Sequence, residues 1–334
     1  MSTESWDRVA GSEPGARANF DFFLTIAMGF DNKLDAPNTI DFVVVQSGEA
    51  CTPCQRMASL LHPTDPVLDS VRSAATATIG SGSVTHLVRK ANEGMDFAAH
   101  NTTITYLTAL RRLHRYSYFF LLNSSIRGPF VPSYMPPGWQ WTQAFIDRLV
   151  SNVGVVSSSL VCLPEEDAGG PGPKLESWAA ATHRRGLDIL VEEGVFELRT
   201  CKTDGVVVKG EYGLTAAMEK HGYTIDTLMS KYRRVDWGDK SNWNCNNNVH
   251  PSRHGTYDGI SMHPYETVFV KASWHVGHPF IDKYAEWAIA QATGQSTTAG
   301  QLDEEMYRYA ISMEAQEDHH VDQCYKVLPR DKKP

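Results

Sequence analysis

Positive charge is not in excess in this chain: 31 Lys and Arg stand against 39 Asp and Glu, a net charge of −8 over 334 residues. That balance argues against a dedicated nucleic-acid binder, which needs a basic face to displace counterions from phosphate. A local basic pocket for one small phosphorylated ligand is still allowed. No apolar run approaches the length of a membrane span, and the opening MSTESWDRVAGSEPGARA is polar. The expectation is therefore a chain with no integral membrane segment, signal peptide or anchor. Cysteine is scarce: six residues are too few for a disulfide scaffold of this length. Cys51-Thr-Pro-Cys54 has no second C-x-x-C to complete a zinc site, so a local disulfide or a pair of core thiols is the preferred reading. There is no i, i+4 His pair with an intervening Glu and no G-x-S-x-G elbow, which leaves a zinc hydrolase and an α/β hydrolase without support.

What the chain does have is apolar material for a sizeable core, 42% of its residues. Residues 1–18 read as a disordered leader. Phe20–Ala27, Asp41–Gln46, Val84–Arg89, Tyr116–Leu122 and Asn152–Ser157 read as strands. Thr102–Leu113 reads as an amphipathic helix, with Ile104, Leu107, Leu110 and Leu113 three apart. Trp141–Leu149 and Ala179–Leu190 read as further helices, Val206–Val208 as a small strand, and residues 280–329 as helical. Strands alternating with helices predict an α/β fold with a mostly parallel, buried central sheet flanked by helices.

In such sheets ligands bind beyond the C-terminal ends of the strands. Two loops there are distinctive. In Asn92-Glu-Gly94-Met-Asp96, the glycine lets backbone approach a ligand, and Asp96 could bind a hydroxyl or simply start a helix. In Asn123-Ser124-Ser125-Ile-Arg127, small polar side chains follow a buried strand. They could bind a ligand or form a β-turn. Arg127 could pair with phosphate or sit in a structural salt bridge.

Segment by segment, the chain resembles a group of glycosyltransferase-like proteins related to rhamnan synthesis protein F. Tyr118-Phe-Phe-Leu-Leu-Asn-Ser-Ser-Ile-Arg-Gly-Pro-Phe-Val-Pro132 is similar to that group's signature. So are Asn92-Glu-Gly-Met-Asp-Phe97, Asn152-Val-Gly-Val-Val-Ser157, Glu211-Tyr-Gly-Leu214, Gly222-Tyr-Thr-Ile225 and His263-Pro-Tyr-Glu-Thr-Val-Phe-Val-Lys271. The ordered set covers roughly residues 20–275. The resemblance implies a GT-A-like (Rossmann-like) domain over 19–275, with a helical extension and tail over 276–334. It also implies sugar transfer from a nucleotide-sugar donor to a glycan or glycoconjugate acceptor.

On that reading Glu211 is the catalytic base. The bland alternative is an acid favoured at a helix start. Asn92, Gly94, Asp96, Asn123, Ser124, Ser125, Arg127, His263 and Lys271 are donor-binding. Lys174 and Glu176 replace a His-bearing stretch of relatives and, with Trp237 and Trp243, face the acceptor. GT-A enzymes usually carry D-x-D at the strand end, where Mg²⁺ or Mn²⁺ would bridge the diphosphate. Here the motif is neutral, and neutral oxygens bind a divalent ion far more weakly. That substitution motivates the alternative of a catalytically inactive carbohydrate-binding or partner subunit. The compartment is cytoplasmic by the absence of a signal, or the Golgi and secretory lumen if an anchor is missing. A Cys162–Cys201 disulfide would favour the lumen.

Overall fold

Gly15–Ile26 is a helix (α1), where a strand was expected over Phe20–Ala27. Its phenylalanines suit a strand by propensity, but the spacing of Phe20, Phe23 and Leu24 places them on one helical face. That face is buried in the main core, while Phe22 enters a second cluster. Packing on two sides overrides the local preference. The computed structural model describes residues 15–29, 40–47, 54, 57, 61–63, 71–79, 82–90, 93–136, 138–199, 202–253, 255–272 and 278–294. Most of the expected leader lies outside them. The chain divides into two units, Met1–Thr293 and Gly294–Pro334, and the described helices and strands all belong to the first.

The first four-stranded sheet has β1 (Phe42–Ser47) beside β4 (Gly82–Arg89), then β3 (Val71–Ile79) and β2 (His62–Pro63). The second has the order β11 (Thr224–Thr227), β7 (Val153–Ser157), β10 (Ala179–His183), β5 (Tyr118–Leu122). Two small pairs complete the described strands: β8 (Leu160–Leu163) with β9 (Gly172–Leu175), and β6 (Ile126–Arg127) with β12 (Val270–Lys271). The architecture is mixed α/β, as expected, but a mostly parallel central sheet is not what the described ladders form. Only β1–β4 and β7–β11 are parallel, and the other six ladders are antiparallel.

The reason lies in the connections. A parallel pair needs a crossover of a dozen or more residues, usually a helix. Between β3 and β4 the chain turns directly, pairing Ile79 with Gly82. Between β7 and β10 it inserts the β8–β9 hairpin, and β10 returns antiparallel to both β7 and β5. The β10 residues Ala179-Ala-Ala-Thr-His183 were expected to begin a helix. Alanine favours helix, but here its small side chain fits a strand enclosed on both faces. The helix α4 starts only at Arg184 and runs to Glu192, with His183 Nδ1 accepting from the Gly186 N–H at 2.9 Å as its cap.

The remaining helices are α2 (Met95–Ala109), α3 (Trp141–Ile146), α5 (Gly213–Lys220), α6 (Pro264–Thr267) and α7 (His278–Thr293). Lys202–Glu211 is a π-helix, where Val206–Val208 had been expected as a strand. Such segments are rare and recur at functional sites. A disulfide joins Cys162 on β8 to Cys245, with the Cα atoms 5.3 Å apart. This corrects the expected Cys162–Cys201 pairing. Cys162 lies against the 245–248 turn, where the Asn248 side-chain amide donates to its carbonyl at 3.2 Å. Cys201 is outside the described residues. Cys54 of the C-x-x-C is buried and disulfide-bonded.

Candidate active site

The two strand-end bends singled out in the sequence meet. Asn123 Nδ2 donates to Asp96 Oδ2 at 2.7 Å. Asp96 is the second residue of α2, which follows Gly94 in a left-handed conformation at φ 74. It is the acid of the helix's first turn, and its carboxylate is turned toward Asn123. Asn123 continues the β5–β10 ladder one step past β5, its N–H donating to the Trp178 carbonyl at 3.1 Å. The Asn123 side-chain carbonyl accepts from Ser125 N–H at 3.0 Å and Ser125 Oγ–H at 2.6 Å. The turn reading is what the contacts show: Asn123 closes the turn with one end and holds Asp96 with the other.

Glu211 reaches this place through a close approach. A Cβ on Gly210 would lie 2.9 Å from the Phe97 ring, so glycine lets the end of the π-helix settle against α2. Phe97 is itself buried and stacked on Phe196 with centroids 6.2 Å apart. The next residue, Glu211, accepts from the Ser177 N–H through Oε1 at 3.3 Å. Ser177 lies in the β9–β10 connection, beside Glu176.

Glu176 is almost wholly enclosed. Its Oε1 accepts from Ser252 Oγ at 2.8 Å and lies 3.3 Å from His250 Nδ1, and its Oε2 accepts from Ser159 Oγ. Lys271, on β12, is the positive charge shared by the group: it acts electrostatically on Asp96, Glu176 and Glu211.

The two glutamates are driven in opposite directions. Burial alone would raise Glu176, but the His250 hydrogen bond, the charges of Lys271 and His250 and the Ser159 hydroxyl outweigh it. The result is a carboxylate held at about 2. Glu211 is pushed up, chiefly by burial, against the pull of Lys271 and with a further push from the Glu176 charge. Burial also raises Asp96, opposed by Asn123 and Lys271. A carboxylate held charged beside one whose affinity for a proton is raised is the pattern that separates an electrostatic anchor from an acid–base group.

Of the other sequence-predicted residues, several stand elsewhere. Asn92 lies outside the described residues. The space beside Gly94 is taken by Ala98, Leu198 and Arg199, so its freedom serves chain packing. Ser124 is buried. Arg127 is buried and donates to Asn19 Oδ1 at 2.8 Å and to Asp282, the structural salt bridge rather than an open cation. His263 caps α6 through Nδ1 and sits among Tyr265 and Tyr284. Lys174 donates to the Pro171 carbonyl at 3.3 Å and feels Glu219 and Asp167, not the central acids. Trp237 is 3% exposed, and Trp243 packs on Gly172 and donates to the Trp237 carbonyl at 2.9 Å.

Sequence reasoning missed Ser159, Ser252 and the role of His250. Among the described residues, no three His, Cys, Asp or Glu side chains converge to hold a metal ion. At the strand end, one carboxylate already engaged by Asn123 and a neutral Asn–Ser turn do not fit Mg²⁺ or Mn²⁺. A cavity of about 660 Å³ is lined by Phe23, Phe42, Leu107, Leu121 and Trp141 among others, and by none of Asp96, Asn123, Glu176, Glu211 and Lys271. Among the described residues, no helix is long and apolar enough to cross a membrane. No family model and no curated protein matches the chain.

Proposed function

We propose that this protein is a glycosyltransferase of GT-A-like design, moving a sugar from a nucleotide-sugar donor to a glycan or glycoconjugate. The observation that carries the reading is the joining of Asp96, Asn123, Glu211, Glu176 and Lys271 in one cluster, with the two glutamates driven apart in proton affinity. Glu211 takes the proton of the acceptor hydroxyl. The acceptor oxygen forms its bond to the anomeric carbon as the bond from that carbon to the diphosphate oxygen breaks. The electron pair leaves on the diphosphate, and Lys271 supplies the positive charge that steadies it. Glu176 keeps Lys271 in place and holds the proton affinity of Glu211 high. Asp96 and Asn123 contact donor hydroxyls. The Cys162–Cys245 disulfide supports an oxidising compartment, the secretory lumen rather than the cytosol.

Titration calorimetry with UDP-, GDP- and dTDP-sugars, with and without Mn²⁺, tests this directly. Heat is expected for at least one donor in both conditions; no heat from any of them removes the reading. A second reading, a carbohydrate-binding subunit without catalysis, is favoured by one feature: the Asn123–Ser125 turn spends its polar groups on itself. Hydrolysis of any sugar nucleotide by the purified protein rejects that alternative.

A further inference from the structure

Two depressions adjoin at the start of β5. The larger is the cavity of about 660 Å³, which is lined by Phe42 and Val44 of β1, Leu121 of β5, Leu107 of α2 and Trp141 of α3. The smaller, about 390 Å³ and shallow, is lined by His114, His183, Arg184 and Arg185. Tyr116, Ser117 and Tyr118 line both.

Polarity changes along this joined space. Arg115 and Asp41 line the larger cavity beside the shared residues. The Tyr116 hydroxyl donates to Asp41 Oδ2 at 2.6 Å, which draws these side chains to one end. The Asp41 charge is taken up there, since its Oδ1 accepts from the Ser83 N–H and Oγ–H, each at 2.7 Å. The cations are not taken up in the same way. Among the described residues, no ion pair engages Arg115, Arg184 or Arg185. Arg184 is fixed by donating to the Leu113 carbonyl and by lying over the Phe119 ring, 5.1 Å from its centroid. A guanidinium carries five N–H donors, and that bond uses one of them. Arg185 is exposed. Away from this end the cavity lining is apolar apart from four residues. Thr103 spends its hydroxyl on the Ala99 carbonyl at 3.3 Å. His100 meets the Phe97 and Phe196 rings edge-on, and burial keeps it neutral. Gln140 and Thr142 stand at the start of α3.

We propose that the joined space is a binding site for a single-chain amphiphile with a phosphate head, the hydrocarbon chain in the larger cavity and the phosphate against Arg184, Arg185, His114 and His183. Charge decides the head. The chain carries a net −8, and here arginines gather without carboxylate partners, in the geometry that pairs with phosphate oxygens. The apolar lining decides the tail, and the cavity falls within the range of about 300–1,000 Å³ usual for small-molecule sites. This is the local basic pocket that the overall charge still allows. The site is a neighbour of the acid cluster and separate from it: Leu122 lines the cavity, and the next residue, Asn123, holds Asp96. The proposal therefore does not depend on the transferase reading.

The test is titration calorimetry of the full chain with octyl, decyl and dodecyl phosphate below their micelle concentrations, alongside decanol, decyltrimethylammonium and inorganic phosphate. Wild type is compared with Arg185→Glu and Ile104→Trp, and melting curves check that both variants fold. Wild type should bind one alkyl phosphate, with affinity rising by up to about fourfold per added methylene. Decyltrimethylammonium and inorganic phosphate should bind at least about tenfold more weakly than decyl phosphate. Arg185→Glu should lose on the order of tenfold for decyl phosphate and leave decanol unchanged. Ile104→Trp sets an indole in the cavity and should weaken decyl phosphate and decanol alike; if this variant does not fold, Arg185→Glu decides. No binding of any alkyl phosphate overturns the proposal, as does equal affinity for the phosphate and trimethylammonium heads, an unchanged Arg185→Glu, or uptake of many chains per protein. Inorganic phosphate bound as tightly as decyl phosphate marks a plain phosphate site and overturns it too. Alkyl phosphate bound as expected by a protein that binds no sugar nucleotide removes the transferase reading and leaves this site standing; the converse removes this site alone.

Discussion

Glu176 makes a prediction that needs no knowledge of the substrate. Its carboxyl falls from an ordinary 4.5 to about 2 in the folded protein. At about 1.4 kcal/mol per pH unit, this corresponds to roughly 3 kcal/mol of folding stability. The sign follows from the direction. A carboxyl depressed by folding contributes its full stabilisation above the unfolded value and loses it as pH falls toward the folded one. Urea unfolding of wild type and Glu176→Gln at half-unit steps from pH 7 to pH 2 reads the contribution of Glu176 together with its partner His250, because titrating groups remote from both largely cancel in the difference. The difference should shrink by about 3 kcal/mol between about pH 5.5 and pH 2. A level difference throughout, or one that grows in acid, would mean that His250, Lys271 and Ser159 do not hold Glu176 ionised, and the reasoning about the cluster fails with it.

Glu211→Gln should abolish sugar transfer while leaving the melting temperature within a few degrees of wild type, as thermal melts and turnover with the best-binding donor check. Because Glu211 is raised, the acidic limb of the activity profile should lie above pH 4.5, and it should move to lower pH in Glu176→Gln, which removes one cause of the rise; rate profiles of both proteins read this. Gly210→Ala drives a methyl to 2.9 Å from Phe97 and should cost about 1–3 kcal/mol and most of the activity; Phe97→Leu in the same chain should restore part of both. Cys162→Ser with Cys245→Ser opens a loop spanning 83 residues and should lower stability by up to about 4.5 kcal/mol in denaturant unfolding.

Four of the twelve described strands were legible because β-branched and aromatic runs mark them. Phe42–Ser47, Gly82–Arg89, Tyr118–Leu122 and Val153–Ser157 all fall close to where those runs predict. What was not legible is direction. A strand's residues carry its faces, whereas its sense relative to a neighbour depends on the connection. Here the decisive connection contains the β8–β9 hairpin, whose Gly- and Pro-rich stretch carries no strand pattern. β10 was hidden for a related reason. Ala179-Ala-Ala181 is helical by propensity, and only its enclosure between β5 and β7 makes it a strand.

The candidate site divides along the same line between local and distant information. Asp96, Asn123, Glu211 and Lys271 could be picked out because each stands at an end or bend that the local pattern marks. The partners that set their chemistry could not. His250 and Ser252 are 74 and 76 residues from the carboxylate they hold, in an Asn-rich loop with no periodicity. Conversely, Arg127 looked available in sequence because nothing local to it is acidic, yet its partners Asn19 and Asp282 are 108 and 155 residues away and occupy it fully enough to bury it. A cation's role therefore depends on which acids the fold brings to it. Arg127 pairs with Asp282 and Asn19 and helps tie α7 to the body of the chain. Lys271 instead acts electrostatically on three carboxylates that differ in proton affinity. Of the two, only Lys271 acts on the acid cluster, which is why the proposed phosphate role is given to it rather than to Arg127.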